Sequence, residues 1–384
     1  MYPSASVPHR RTVARRLFIA FCLIASAILA YVTGGTNLSL VLYAVSLLLV
    51  IVISLVLRHL IHNPQSRRWL VPASVSLLAG VLILSRIRRV QLLFFGRLIG
   101  QGTEWVGLSY LVLRLIHVVV DSPKLGEVAA SDLAAYALFP PALIAGPIHR
   151  ANQFLPQLDQ SHYPTTQPKL IDSLWRIGLG TAKKLVVANA LSLVALNVGV
   201  AVNPTLPRSL LLLSLIAYAF MLYFDFAGYS DIAIGVAGLM GITLPENFAN
   251  PYAQSTLTRI WQTWHMSLSF WLRDYIFLPL SGTLLRRIGR RWATVVMAIS
   301  HLVTMTIAGL WHGFSTGFLA WGLWHGTGLF VNAQWSKFAR QHEIKLPSII
   351  GIALTFTFVT IGWIFFALPD FGSGLHVLAR IAGR

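Results

Sequence analysis

Acidic residues are scarce in this chain. Twelve Asp and Glu stand against 30 Lys and Arg in 384 residues, and only 11% of positions carry a charge. With 56% hydrophobic residues and a mean hydropathy of +0.69, this composition excludes an ordinary soluble globular protein. Cysteine is nearly absent too. Cys22 is the single one, which rules out an intrachain disulfide or a metal site of paired thiolates. Its expected place is packed or lipid-facing apolar surface. The chain also lacks a phosphate-cradling glycine-rich loop, a Gly-x-Ser-x-Gly elbow and a zinc motif. Neither a metal nor a bound cofactor is expected, and no domain-sized repeat or low-complexity tract is present.

What the sequence has in quantity is apolar runs. Residues 38–57 form 20 consecutive positions without a charge, enough to cross a hydrocarbon core of ~30 Å at ~1.5 Å per residue. Comparable runs are placed near 17–32, 69–85, 105–120, 131–148, 176–200, 208–224, 227–243, 292–311, 314–333 and 347–368. The fold class expected is therefore all-α, a multi-pass integral membrane protein of about 10–11 membrane helices with additional interfacial helices. The basic start followed by an apolar stretch also fits a cleaved signal peptide, but the many spans downstream favour an uncleaved anchor.

A net charge of +18 suggests nucleic acid, yet the basic residues lie between apolar runs instead of forming one stripe, so no nucleic-acid partner is expected. Membrane orientation explains them more simply. Arg10, Arg11, Arg15 and Arg16 precede the first run, the linker 33–37 is uncharged, and Arg58, Arg67 and Arg68 follow the second. The positive-inside rule then puts the N-terminus in the cytoplasm. Arg86, Arg88, Arg89 and Arg97 disagree with that count. Either 69–85 does not fully cross or these arginines sit at headgroup level. Arg286, Arg287, Arg290 and Arg291 mark a second candidate cytoplasmic loop.

Between the runs, residues 151–169 with Pro156, Pro164 and Pro168 read as a loop. A polar connection over 245–264 leads into 259–280, where Trp261, Trp264, Leu268, Trp271 and Tyr275 recur at steps of three and four. That spacing predicts a helix with one aromatic face lying along the headgroups, ended or kinked by Pro279.

The pentapeptide Gly-Leu-Trp-His-Gly occurs twice, at 309–313 and 322–326, inside an almost uncharged stretch. Imidazole is costly to hold within a bilayer, so each histidine is a candidate functional group. His312 sits at or near the end of a membrane helix, followed by Gly313, Ser315 and Gly317. A neutral imidazole there suits a general base acting on a hydroxyl, although a hydrogen-bonded core histidine fits as well. His325, 13 residues on, points elsewhere on a continuous helix and reads as support, and packing is favoured for His301. His265 lies beside Trp264, with Ser269 four residues on as an expected hydrogen-bond partner. Asp225 and Asp231 fall in an apolar run and must be paired, protonated or facing water. Structural pairing is the favoured reading, with Lys183 and Lys184 as possible partners or as contacts for anionic lipid or phosphate.

Taken in order, several segments closely resemble the membrane-bound O-acyltransferase family, on the bacterial branch of alginate O-acetylases and teichoic acid D-alanylation membrane proteins. They are Gly-Leu-Ser-Tyr at 107–110, Leu-Ile-Ala-Gly-Pro-Ile at 143–148, Lys183 with Lys184, Phe-Asp-Phe-Ala-Gly-Tyr-Ser-Asp at 224–231, Pro-Glu-Asn-Phe-Ala-Asn-Pro-Tyr at 245–252, and Trp-His-Met-Ser-Leu-Ser-Phe-Trp-Leu-Arg-Asp-Tyr at 264–275. The resemblance covers about residues 100–368. It implies N-terminal membrane helices over 1–100 and a catalytic membrane core over 101–384, continuous as one membrane domain around a central passage. It also implies His312 and His265 as catalytic, with Trp311, Trp264, Asp225, Asp231, Ser269, Asn247 and His325 as supporting or substrate-binding positions. Two departures remove positive charge: Ile-Trp-Gln-Thr at 260–263, where the branch has Phe-Trp-Arg-Arg, and Ala367, where an arginine often stands.

The activity implied is transfer of an acyl group, acetyl foremost, from a cytoplasmic thioester to a hydroxyl for an extracytoplasmic glycopolymer. The donor is acetyl-CoA or an acylated carrier protein, and the implied partners are membrane lipid, the glycopolymer acceptor and a separate extracytoplasmic acyl-transfer protein. The location is the bacterial cytoplasmic membrane. D-alanyl transfer from a carrier protein to a teichoic-acid-like polymer is the alternative within enzymes, and a non-catalytic transporter is the alternative outside them.

Overall fold

The computed structural model describes residues 7–34, 37–86, 107–158 and 167–383. Helices dominate these residues. In chain order they are α1 (Val7–Gly34), α2 (Asn37–His62), α3 (Arg67–Arg86), α4 (Leu108–Val120), α5 (Ala130–Ala137), α6 (Ala151–Leu158), α7 (Gln167–Thr181), α8 (Arg208–Leu239), α9 (Leu257–Thr263), α10 (Met266–Leu272), α11 (Leu278–Ile288), α12 (Ala293–His312), α13 (Thr316–Gln341), α14 (Ser348–Ala367) and α15 (Phe371–Ile381), with short turns between them. Among the described residues six segments are long and apolar enough to cross a membrane: Arg15–Thr33, Ser39–His62, Pro64–Arg86, Arg208–Leu239, Arg290–His312 and Ser348–Ala367.

The all-α, multi-pass reading stands, with six such segments among the described residues where about 10–11 were expected; run 314–333 is helical as α13 but is not one of the six, and other differences from the expected spans have local causes. The runs 208–224 and 227–243 are one helix, α8: Asp225, which divides them in sequence, and Asp231 within the second are both ion-paired, and the backbone is uninterrupted. Run 131–148 stops as a helix at Ala137, since Pro140 and Pro141 cannot continue one. Run 105–120 is the short α4, and 176–200 is interrupted by a π-helical turn over Ala182–Ala188. Residues 151–158, expected as loop, form α6 with Pro156 inside it. Arg88, Arg89, Arg97 and Pro164 lie outside the described residues.

The chain forms two units. The first comprises Met1–Leu179 and Ser230–Pro245. Here α1 is held to α5 by an Arg15–Asp132 ion pair of 2.6 Å, and Ser26 donates to the Leu138 carbonyl. Cys22 is fully buried on α1. The unit's centre holds a polar cluster. His117 Nε2 accepts from the Ala151 amide at 3.1 Å, and the Tyr136 hydroxyl donates to the His149 carbonyl at 2.9 Å. Burial, aided by the charge of Arg114, pushes the His149 imidazole down to about 3, so it stays neutral. Gly107 takes a left-handed conformation, with φ 76°, directly against the Leu143 carbonyl, where a side chain has no room. Two of the motifs noted above therefore pack on each other.

The second unit comprises Gly180–Tyr229 and Glu246–Arg384. One apolar cluster joins Leu196, Leu211, Leu215, Ile364, Leu368 and Val377. The other organising feature is the antiparallel hairpin of α12 and α13, which turns over Gly313 and Ser315. The Ser315 side chain caps α13 by accepting from the Phe318 amide at 3.2 Å. A Cβ on Gly322 would fall 2.5 Å from the Met305 carbonyl oxygen, and one on Gly326 2.9 Å from Leu302 Cα. Gly309 is equally tight against the Phe318 carbonyl. The glycines of the repeated pentapeptide thus let two apolar helices approach backbone to backbone, as small residues do in membranes.

Candidate active site

The hairpin's short turn brings the last residue of α12, His312, against the start of α13. Aromatic rings surround it: Trp311 at 4.8 Å between centroids, Phe366 at 4.8 Å, Trp321 at 5.5 Å and Phe318 at 5.9 Å. Phe318 and Trp321 stand three residues apart on α13, so both reach the same face. His312 is half-buried in this enclosure.

His265 approaches from another element. The predicted continuous helix over 259–280 is broken at Trp264 and His265, and His265 takes a left-handed backbone conformation, φ 42° and ψ 52°, immediately before α10. The aromatic residues therefore do not share one interfacial face. Trp264 and Trp271 are buried, and Trp264 packs on Trp363 at 5.1 Å and Phe248 at 5.2 Å. Pro279 does not end the helix: it follows directly on a π-helical turn over Arg273–Phe277, and the chain continues as α11.

The same break changes the partner of His265. Ser269 donates to the Trp264 carbonyl at 3.0 Å, because the helical relation of four residues does not hold for a residue outside the helix. The partner is Asn247. His265 Nδ1 lies 3.0 Å from Asn247 Oδ1, which also accepts from the Ser267 amide at 3.3 Å and the Ser267 hydroxyl at 2.9 Å. An atom that accepts a backbone N–H is the amide oxygen, so the hydrogen between it and His265 belongs to Nδ1. His265 is then the tautomer whose Nε2 carries the lone pair. Burial drives its pKa well below the ordinary histidine range, and the nearby His312 adds to that effect. Phe226 packs edge-on at 4.6 Å, and Trp311 lies 6.4 Å away, between the two histidines in contact terms. The outcome is a neutral, oriented imidazole near a second imidazole in an aromatic, water-poor setting.

The remaining candidates divide. His325 is buried in a cage of Trp321 at 4.9 Å, Trp261 at 5.3 Å, Phe358 at 5.7 Å and Trp363 at 6.1 Å, and neither ring nitrogen has a hydrogen-bond partner among the described residues. It shares Trp321 with His312 but not its surroundings. His301 bonds the Met297 carbonyl at 2.8 Å and packs on Phe277. Asp225 is ion-paired with Lys184, within the second unit, and Gly228 allows α8 to approach the Lys184 backbone closely. Asp231 belongs to the first unit and bonds Arg176 at 3.0 Å. Both acids thus have cationic partners. The sequence reading missed Ser267, Phe226, Phe318, Trp321, Trp363 and Phe366. Phe226 and Ser267 lie inside motifs noted above, and Phe318 and Trp321 have helical spacing, but Trp363 and Phe366 gave no usable signal.

Comparison with known proteins settles the family. The model of the membrane-bound O-acyltransferase family, MBOAT, matches residues 31–369. The chain belongs to this family. Among its relatives, a probable alginate O-acetylase, AlgI, of Pseudomonas syringae is 34% identical over 282 residues, covering 72% of this chain and 51% of that protein. A peptidoglycan O-acetyltransferase of Helicobacter pylori is 32% identical over 253 residues, 66% of this chain and 46% of that protein. A teichoic acid D-alanyltransferase of Streptococcus thermophilus is 28% identical over 388 aligned positions, 92% of this chain and 88% of that protein. The chain spans about half the length of the O-acetylases it matches. As a member of MBOAT, it carries the aromatic enclosure within the region the family model covers.

Proposed function

We propose that this MBOAT protein is an O-acyltransferase that moves an acetyl group from a cytoplasmic thioester, acetyl-CoA or an acylated carrier protein, to a hydroxyl used in modifying an extracytoplasmic glycopolymer. The observation that carries this reading is the meeting of His265 and His312 at Trp311, with His265 fixed as a neutral imidazole by Asn247. His312 takes the proton of the acceptor hydroxyl as its oxygen attacks the thioester carbonyl. The C–S bond breaks, and the thiolate leaves and takes up the proton. With Nδ1 already donating, neutral His265 offers a lone pair and no hydrogen. The reacting hydroxyl has one hydrogen, which goes to His312, so the role of His265 is to orient the acceptor or the donor by accepting from another of its O–H or N–H groups, not to donate to the oxyanion. No metal and no covalent enzyme intermediate is required. Asn247 and Ser267 position His265, while Trp264, Trp311 and His325 shape the enclosure. Asp225 and Asp231 act through their ion pairs.

The relatives named above acetylate alginate or peptidoglycan by name, which favours acetyl transfer and a glycan acceptor. A specific observation favours a second reading. The D-alanyltransferase aligns along nearly the whole of both chains, so D-alanyl transfer from a carrier protein uses the same geometry with another donor. An extracytoplasmic protein that completes delivery to the polymer, and residence in the bacterial cytoplasmic membrane with the N-terminus inside, belong to either reading.

The test is turnover by the purified full chain with labelled acetyl-CoA, acetyl-carrier protein or D-alanyl-carrier protein and a glycan acceptor. Acetyl transfer that falls at least ~100-fold in His312→Ala, with folding retained, is the expected result. Transfer of D-alanine alone selects the second reading. Equal activity in His312→Ala removes the assignment of the base.

A further inference from the structure

A large apolar groove runs along α13 on the side away from His312. Its volume is about 1160 Å³, and its walls come from α13, α14 and the segments 255–257 and 344–347. Phe318, Trp321 and His325 lie on one side of α13, whereas Leu319, Leu323, Thr327 and Val331 line the groove on the other, as a period of 3.6 residues requires. Along α13 the lining runs from Thr316 to Arg340, about 36 Å of helix. That is enough to cross a hydrocarbon thickness of ~30 Å.

The groove is mostly apolar, and several of its polar side chains are already bonded. Trp324 stacks on Phe358 at 4.6 Å and donates to the Phe358 carbonyl at 3.0 Å. Asn332 donates to Thr258 at 2.9 Å and accepts from the Leu257 amide, and Thr355 donates to the Gln254 carbonyl. A sugar or a nucleotide would find its polar groups unmatched there. Leu323, Val331 and Leu354 are nevertheless 43%, 56% and 61% exposed, so the groove opens outward. At one end the chemistry changes. Arg340 is the only Lys or Arg among the lining residues, and Lys337 and Lys345 lie within five positions of it in sequence. All three are exposed and have no ion-pair partner among the described residues.

We propose that this groove is a binding site for an anionic phospholipid of the bilayer, its acyl chains lying along α13 and its phosphate held at Arg340 with Lys337 and Lys345. An apolar channel of membrane length closed by three unpaired cations complements a molecule with two long chains and one negative head. The site is distinct from the histidine enclosure, and its test does not depend on acyl transfer.

The full chain, purified in mild detergent, is exposed to phosphatidylglycerol or phosphatidylcholine with identical chains, and retained lipid is counted by native mass spectrometry. The expected result is about tenfold or greater retention of phosphatidylglycerol. Replacing Arg340, Lys337 and Lys345 by Ala erases the preference and leaves weak retention of both lipids. Leu323→Trp, which fills the groove, lowers retention of both, while Ile24→Trp on the exposed face of α1 changes neither. Size-exclusion profiles and thermal midpoints confirm that each variant is folded. Equal retention of the two lipids by the unaltered chain overturns the proposal. So does a preference that survives both sets of groove substitutions, or a copurifying transmembrane partner or second copy whose release requires the groove to be filled.

Discussion

At the scale of single residues, the decisive fact is that His265 is held by a neighbour distant in sequence. Asn247 accepts from it, from the Ser267 amide and from the Ser267 hydroxyl, so one amide oxygen sets the tautomer of an imidazole that burial keeps neutral. Asn247→Asp puts a carboxylate at Nδ1, which raises the pKa of His265. Because the role assigned to it needs the neutral form, activity of that variant falls away at a higher pH than in the unaltered chain. Profiles of kcat/KM between about pH 5 and pH 8 check this, with unchanged profiles as the contrary result. Asn247→Ala removes the orienting bond and lowers activity by ~10-fold or more without moving the acid limb upward. His149 gives a stability test of the same kind. Its folded pKa is down at about 3 against ~6.5 when unfolded, so between those values the unfolded state holds a proton that the folded state does not. Stability contributed by the neutral buried ring is complete above about pH 6.5 and is lost as pH falls, by up to ~1.4 kcal/mol per pH unit. Thermal unfolding of His149→Gln should show a shallower decline over pH 7 to 5 than the unaltered chain.

At the scale of elements, the repeated pentapeptide separates into packing and chemistry. Its glycines bring α12 and α13 together, and a Cβ on Gly322 would stand 2.5 Å from the Met305 carbonyl oxygen. Gly322→Ala should therefore destabilise the hairpin by ~1–3 kcal/mol, seen as a lower thermal midpoint in detergent, whereas Gly178→Ala, with open space around it, should not. The Arg176–Asp231 pair is a second element-scale device, tying α7 to the end of α8 within the first unit. Arg176→Met takes a cationic partner from a largely buried carboxylate, at a cost of about 1–3 kcal/mol, and Asp231→Asn added to it should restore much of the loss. Helices with long apolar runs were legible in the sequence, as were the candidacies of His312 and His265 and the pairing of the acids. The break at Trp264 and His265 was not legible, because an aromatic period of three and four looks the same whether or not the chain leaves the helix between its members. For that reason Ser269 was expected where Asn247 stands. The joining of 208–224 to 227–243 was hidden for a related reason: ion pairing lets a helix run through acids that, read alone, mark its end.

At the scale of the whole molecule, an apolar, acid-poor chain has two clusters of basic residues near helix ends in its second unit. In the second unit, α12 begins just after Arg286, Arg287, Arg290 and Arg291, and α13, running antiparallel, ends at Lys337, Arg340 and Lys345. Both basic ends therefore share one side, and the proposed orientation puts that side in the cytoplasm. Cys22 is the only thiol and is fully buried, so the natural chain is a quiet background for labelling. Arg287→Cys and Lys345→Cys should react with a membrane-impermeant maleimide only from the cytoplasmic face, in inverted vesicles, and labelling of either from outside contradicts the orientation. The proposed acyl transfer leaves its product on the cell envelope. Mass analysis of cell-surface glycopolymers is the most direct test, comparing cells with the intact gene, a deletion, and His312→Ala expressed at the normal level in the membrane. The account predicts an acyl ester present with the intact gene and lost from both other strains; an ester that persists unchanged with His312→Ala would contradict it.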